Sequence, residues 1–352
     1  MNHRSETKRL PAEWEPQDAV QLTWPHANTD WQPLLNQVVP VYERLVQLLL
    51  EVCDVIIGAP EDQVDSLRVR FQSLNLDLSK IHLYAVQSND TWARDHGPIT
   101  IETAKGLVLL DFQFTGWGGK FQADLDNAIT ADLYQQGAYG NSSCQHQPLV
   151  LEGGAIESDG RGTLLTTEQC LLNPNRNPQL DKSANEEQLG QLFGVTRINW
   201  LKHGALQGDD TDSHIDTLAR LCPNNVIAYQ SCDEPADPHF DDLQAMANEL
   251  QKMTDCAGSP YRLLALPWPS AKYDELGERL PATYANFLII NNMVIVPTYQ
   301  DVRDNEALMK IQDAFPGYRV EGIDCLPLIH QHGSLHCITM QLPRGVLRKR
   351  ID

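Results

Sequence analysis

Apolar residues at Val41, Leu45, Leu48, Leu49 and Val52 recur at helical spacing and predict an amphipathic helix. The run 54–58 that follows reads as a short buried strand. Pro60-Glu61-Asp62 then opens a second helix over 64–74, with acidic residues where a helix N-terminus favours negative charge. Further strands are predicted at 81–86, 107–112, 149–151, 163–172, 197–201, 226–229 and 262–266, and further helices at 184–193, 240–253 and 303–314. The apolar stretch 287–297 is interrupted by Asn291-Asn292, a hairpin signal. Strand, strand, helix, strand returns several times as an order, without exact repetition and without a Pro/Gly/Ser-rich linker. The pattern predicts one mixed α/β domain over 1–352 made of cyclic pseudo-repeats, and leaves a doubly wound sheet open.

Charge narrows the partners. With 27 Lys and Arg against 47 Asp and Glu, the formal net charge is −20, and no basic stripe is available to neutralise phosphates. Nucleic acid is therefore not an expected partner, whereas small cations are drawn to such a surface. No apolar run approaches the roughly 18 residues of a membrane span, and the polar stretch 1–15 lacks the apolar centre of a signal peptide. The eight cysteines include no C-x-x-C pair, so reduced thiols in the cytoplasm are expected. Cys53, Cys170 and Cys222 lie in or beside apolar runs and read as core residues.

Four segments carry candidate chemistry. Cys337 follows the small-residue turn Gly333-Ser334 and precedes an apolar run, a place where a thiol at a pocket mouth can act as a nucleophile. In His214-Ile215-Asp216, read as a strand, residues i and i+2 share one face. An imidazole and a carboxylate would then enter the same pocket for proton transfer, or simply satisfy one another at a sheet edge. Asp95, after Arg94 and before Gly97-Pro98, is either a turn carboxylate or a planar partner for a guanidinium. Glu152 ends an apolar run ahead of two glycines, where a carboxylate needs a partner: a structural Arg or Lys, or the imidazole.

His330, His332, His336 and Cys337 could be read as a zinc cluster. H-x-H is short and frequent, however, and no second cluster stands at structural-zinc spacing, so no metal is expected. Asp209-Asp210-Thr211-Asp212 lacks the glycine and distant Glu of a calcium loop, and Gly116-Trp117-Gly118-Gly119-Lys120 lacks P-loop spacing.

Several ordered motifs together resemble the agmatine deiminase family, close to the bacterial peptidylarginine deiminases, within the guanidine-modifying pentein superfamily. They are Pro11-Ala12-Glu13-Trp14-Glu15-Pro16, Leu22-Thr23-Trp24-Pro25, the run 89–98, the segment 116–120, Glu152-Gly153-Gly154, the run 211–216 and His336-Cys337-Ile338-Thr339. The resemblance implies a five-bladed α/β propeller of ββαβ-type units around a central pocket. By motif, it makes Cys337 the nucleophile, His214 the general acid/base, and Asp95 and Asp216 the guanidinium-binding carboxylates. Glu152 matches the acidic residue that orients the histidine, and Trp92 and Trp117 match positions near the substrate, where ordinary core packing is an equal reading.

The implied reaction hydrolyses agmatine to N-carbamoylputrescine and ammonia through a covalent thiouronium on Cys337, without metal or organic cofactor, as a step toward putrescine. A C-terminal or peptidyl arginine is the alternative substrate, and an amidinotransferase, a silent guanidine-binding protein or a metal-dependent hydrolase are more distant ones. Ser213, Ser334 and the segment 120–124 depart from the agmatine deiminase pattern, which leaves the chemistry intact and bears on the far end of the substrate. A homo-oligomer remains open.

Overall fold

The structure is a computed structural model that describes residues 8–347. Five mixed sheets organise it, each holding an antiparallel pair and a parallel strand reached through a helical crossover. In the first sheet, Gln17–Thr23 lies between antiparallel Met340–Pro343 and parallel Asp54–Ala59, with Ile81–Ala85 as a further parallel strand. In the second, Ile99–Thr103 pairs antiparallel with Gly106–Gln113, Ser143–Val150 runs parallel beside it, and Lys8–Arg9 adds an edge. The third comprises Ile156–Ser158, Thr163–Thr167 and Arg197–Leu201. The fourth comprises Ala219–Cys222, Val226–Gln230 and Arg262–Leu266, and the fifth Leu288–Ile290, Met293–Thr298 and Arg319–Asp324.

A parallel step needs a long crossover, and here the helices Leu35–Leu49, Ile129–Gln135, Lys182–Phe193, Phe240–Leu250 and Asp304–Ala314 supply it. The repeat expected from the sequence is thus present, and separate sheets of three or four strands rule out the doubly wound alternative. A small hairpin, Lys272–Tyr273 with Arg279–Leu280, stands apart from the five.

The helical period works as expected in Leu35–Leu49, whose Val38, Val41, Tyr42, Leu45, Val46, Leu48 and Leu49 are buried along one stripe. Each such aliphatic side chain contributes about 1.5–3 kcal/mol when fully buried. Asn291-Asn292 forms the two-residue turn between Leu288–Ile290 and Met293–Thr298, with Asn291 at φ 51°. The Asn291 side chain also bonds the backbone of Gln17 and Val52, tying the fifth sheet to the first. One expectation needs correction: the run 163–172 is a strand only to Thr167. There the Thr167 hydroxyl accepts the Cys170 N–H at 3.2 Å and turns the chain into the short helix Glu168–Leu171. Among the described residues, no helix is long and apolar enough to cross a membrane.

One topological position matters for function. Met340–Pro343 near the C-terminus closes the sheet begun by Gln17–Thr23, so the order of elements is circular. In every sheet, a buried polar or thiol residue stands just before the first strand of the antiparallel pair, at Asp95, Glu152, Asp216, Asn286 and Cys337 in turn.

Candidate active site

Those five segments converge. A β-carbon placed on Gly154 would lie 2.7 Å from His214 Nδ1, 2.9 Å from Asp95 Oδ1 and 3.2 Å from Asp216 Oδ2. Only glycine leaves room for the three groups to meet. Asp95 sits in the turn Ala93–His96, its Oδ1 accepting the Gly154 N–H at 3.0 Å and its Oδ2 the Trp117 indole N–H at 2.9 Å. His214 Nδ1 lies 3.6 Å from Asp95 Oδ1.

His214-Ile215-Asp216 is not a strand, contrary to expectation. Asp212 and Ser213 both adopt left-handed φ, 67° and 64°, and residues Ile215–Thr217 form a 3₁₀ turn. Both side chains still point inward, 1% and 0% exposed. A tight turn delivers what a pleated strand was expected to deliver.

Cys337 is held next to Asp95 because its carbonyl accepts the Arg94 N–H at 3.0 Å. Its Sγ lies 3.9 Å from Asp216 Oδ2 and 3.4 Å from Asn286 Oδ1. The Asn286 side-chain oxygen also accepts the His336 N–H at 2.8 Å, fixing the turn that presents the thiol. Asn286 escaped the sequence reading, since a lone Asn before an apolar run carries no motif. Its place ahead of the fifth sheet, matching the other four residues, is the signal that finds it.

His336 is no partner for the thiol: its Nδ1 meets Asp216 Oδ2 at 2.7 Å and its Nε2 meets Glu13 Oε1 at 2.8 Å. It props the Asp216 carboxylate from behind. His332 Nδ1 bonds the carbonyl of Gly208, so these histidines do not converge on Cys337 as zinc ligands.

Glu152 is fully buried, and both of its oxygens accept from Arg176 Nε at 3.0 Å. Of the two partners left open by the sequence, a structural arginine is the direct one. The imidazole is still a neighbour, because atoms of Glu152, Cys170 and His214 lie within 4.8 Å of one another. Glu13, Glu157 and His336 form a second such group. In both, the carboxylates are already engaged by buried guanidinium groups, Arg176 in one and Arg220 in the other, which disfavours a metal ion there.

The electrostatics follow from burial. Desolvation pushes the Asp95 carboxyl up to about 6, with nearby Asp216 and Glu152 adding to it and His214 opposing it. Burial disfavours charge on His214, yet Asp95, the Cys170 sulfur and Glu152 outweigh it and raise the imidazole to about 10. Asp216 is held below the usual carboxylate range because His336, His214 and Arg220 overcome its burial. Burial, then Asp216 and Asp95, keeps the free Cys337 thiol well above its ordinary value, while the Ser334 N–H and Asn286 pull it down. The site thus holds an imidazolium, two carboxylates and a neutral thiol, and it waits for a cation.

Cys337 opens onto a cavity shared with Asp30, Asp90, Trp92, Asp95, Trp117 and Asp210. The two tryptophans are both core and wall: Trp92 packs on Trp31 with centroids 5.7 Å apart, and Trp117 on Phe114 at 5.2 Å. Trp117 is itself held at φ 54°, between Gly116 and Gly118, which brings its indole onto Asp95.

Known proteins share this fold. A Vibrio parahaemolyticus protein named "Putative agmatine deiminase" is 34% identical, over 95% of this chain and 96% of its own length. The C. jejuni agmatine deiminase, solved with substrate bound, superposes with a TM-score of 0.90 at 36% identity, covering 98% of this chain and 99% of that one. A Porphyromonas gingivalis protein named "Putative Arginine Deiminase" also gives 0.90, at 47% identity over 97% of this chain and 100% of that one. The fold is accordingly the pentein α/β fold with mixed sheets. A family model for Porphyromonas-type peptidyl-arginine deiminases matches residues 9–343, and the chain belongs to that family.

Proposed function

We propose that this protein is an agmatine deiminase, hydrolysing the guanidinium carbon–nitrogen bond of agmatine to give N-carbamoylputrescine and ammonia. The observation that carries this reading is the meeting of Cys337, Asp216, Asp95 and His214 around Gly154 at the floor of an acidic cavity. Asp95 and Asp216 bind the planar cation and fix its central carbon against the sulfur. The arriving positive charge favours the thiolate, which burial and two carboxylates otherwise oppose, and the thiol proton is released to solvent as the cation binds. Sγ attacks carbon, forming the S–C bond, and His214 gives its proton to the nitrogen that departs as ammonia. A cationic thiouronium remains on Cys337. Neutral His214 then takes a proton from water as its oxygen adds to the same carbon, and the S–C bond breaks to release the ureido product and the thiol.

Agmatine is favoured over arginine by the lining of the cavity, where Asp30, Asp90 and Asp210 suit a second cation and oppose a carboxylate. Lys120 is committed to Asp212 at 2.8 Å and to the carbonyl of Asp210. The relative named as an arginine deiminase keeps free or peptidyl arginine as the second reading. We read the five mixed sheets as five blades of a single catalytic domain around this cavity, and the eight free thiols as those of a cytoplasmic protein.

The test is incubation of the wild type and Cys337→Ser with agmatine, arginine and arginyl peptides, following ureido product and the intact mass after acid quench. The reading requires wild-type turnover of agmatine above the others, with a transient adduct that Cys337→Ser lacks. Absence of turnover for every guanidine sinks it.

A further inference from the structure

The segment that delivers His214 is backbone-strained and externally held. Asp212 and Ser213 are two successive non-glycine residues at left-handed φ, an arrangement that persists only where the surroundings impose it. Arg176 imposes much of it. Its NH2 donates to the Thr211 carbonyl at 2.8 Å and its NH1 to Asp212 Oδ2 at 2.7 Å, while Nε spans both oxygens of Glu152 at 3.0 Å. The Arg176 side chain is 0% exposed. One guanidinium therefore joins the turn in front of His214 to the carboxylate beside it.

The consequence concerns the imidazole. His214 Nε2 is buried and makes no hydrogen bond, although Glu152 and Cys170 lie close to the ring. Asp95 from the 93–96 turn, Glu152 at the end of the 143–150 strand, Cys170 on the 168–171 helix and Asp216 from its own turn all act on it. A free Glu152 carboxylate would stabilise the imidazolium as a buried ion pair and hold its proton on the ring. Arg176 occupies both carboxylate oxygens with its Nε. We propose that Arg176 is a positioning residue for the acid/base step: it fixes the 211–213 turn and neutralises Glu152, so that His214 can give up its proton and regain it.

This rests on the deiminase reading for its catalytic meaning, but its electrostatic part can be tested without turnover. In the free full-length protein, the His214 titration is followed by NMR with labelled histidine in wild type, Arg176→Gln, Arg176→Lys and the double variant Arg176→Gln/Glu152→Gln. Arg176→Gln is expected to move the titration upward by about one pH unit or more, because an unneutralised carboxylate favours the imidazolium. The double variant should return it to the wild-type position or below. In steady state, Arg176→Gln should lower kcat for agmatine roughly ten- to a hundredfold with KM within about threefold, since Asp95 and Asp216 are untouched. Arg176→Lys should hold the titration near wild type yet recover kcat only in part, as an ammonium cannot span Glu152, Asp212 and Thr211 together. If Arg176→Gln does not fold, Glu152→Gln and Arg176→Lys carry the test through the same titration. An unmoved titration in Arg176→Gln, an upward move that the double variant fails to reverse, or, without folded Arg176→Gln, a Glu152→Gln titration that does not fall overturns the proposal. Failure of the wild type to turn over any guanidine would instead overturn the deiminase reading and leave the titration result standing.

Discussion

Replacing Asp95 by Asn tests the centre of the site with almost no change of shape. The carboxylate accepts from Gly154 N at 3.0 Å and from Trp117 Nε1 at 2.9 Å, and its oxygen lies 3.6 Å from His214 Nδ1. An amide has one acceptor for those two donors, so its NH₂ group must face an N–H whichever way it turns. It also loses the charge that pairs with the substrate. Removing one partner of a buried ion pair costs about 3–5 kcal/mol. At about 1.4 kcal/mol per tenfold, kcat/KM for agmatine should fall about 10²- to 10⁴-fold. The His214 titration should fall at the same time, because Asp95 is the strongest influence raising it toward about 10. Thermal stability should change little, since burial, Asp216 and Glu152 all work against the Asp95 charge in the folded state. The assays are steady-state release of ureido product and NMR titration of His214. A loss of less than tenfold, or an imidazole that titrates where it does in the wild type, refutes the assignment of Asp95 as both clamp and counter-ion.

Other outcomes follow from the same geometry. Trp117→Phe keeps the ring and removes the N–H to Asp95 Oδ2, so kcat/KM should drop by about 0.5–1.5 kcal/mol, roughly two- to tenfold; a neutral result would make the ring a wall alone. Because Asp95 must be ionised to bind a guanidinium and is raised to about 6, kcat/KM should decline as pH falls through about 6 in the wild type. That limb should be absent from Asp95→Asn, measured on whatever activity remains. Iodoacetamide inactivation of the free enzyme should keep accelerating beyond pH 9, since burial and two carboxylates hold the Cys337 thiol well above its ordinary value; a plateau by pH 8 would contradict this electrostatic picture.

What the chain states locally is what the sequence settled. Helical periods in Leu35–Leu49, Lys182–Phe193 and Asp304–Ala314, and the Asn291-Asn292 turn, are one-dimensional signals that burial against a neighbouring sheet reinforces. The candidate reactive groups Cys337, His214, Asp95, Asp216 and Glu152 likewise stand in motifs that can be read in order along the chain. The shorter strands Ile156–Ser158 and Ala219–Cys222 were not legible, being too brief for an alternating pattern to stand out.

Tertiary structure decided the rest. Asn286 and Arg176 carry no motif, and only the folded chain brings one against the thiol and the other against Glu152. Whether His214 lay on a strand or a turn depended on Asp212 and Ser213 adopting left-handed φ, a conformation that non-glycine residues rarely adopt unaided; Asp209 supports it locally, and Arg176 and Lys120 enforce it from elsewhere in the chain. The place of His336 between Asp216 and Glu13, away from the thiol, is likewise a tertiary fact. The sequence determined which reactive groups exist and in what order, because these are local facts. Their charge states and partners came from distance and burial, which only the folded chain defines.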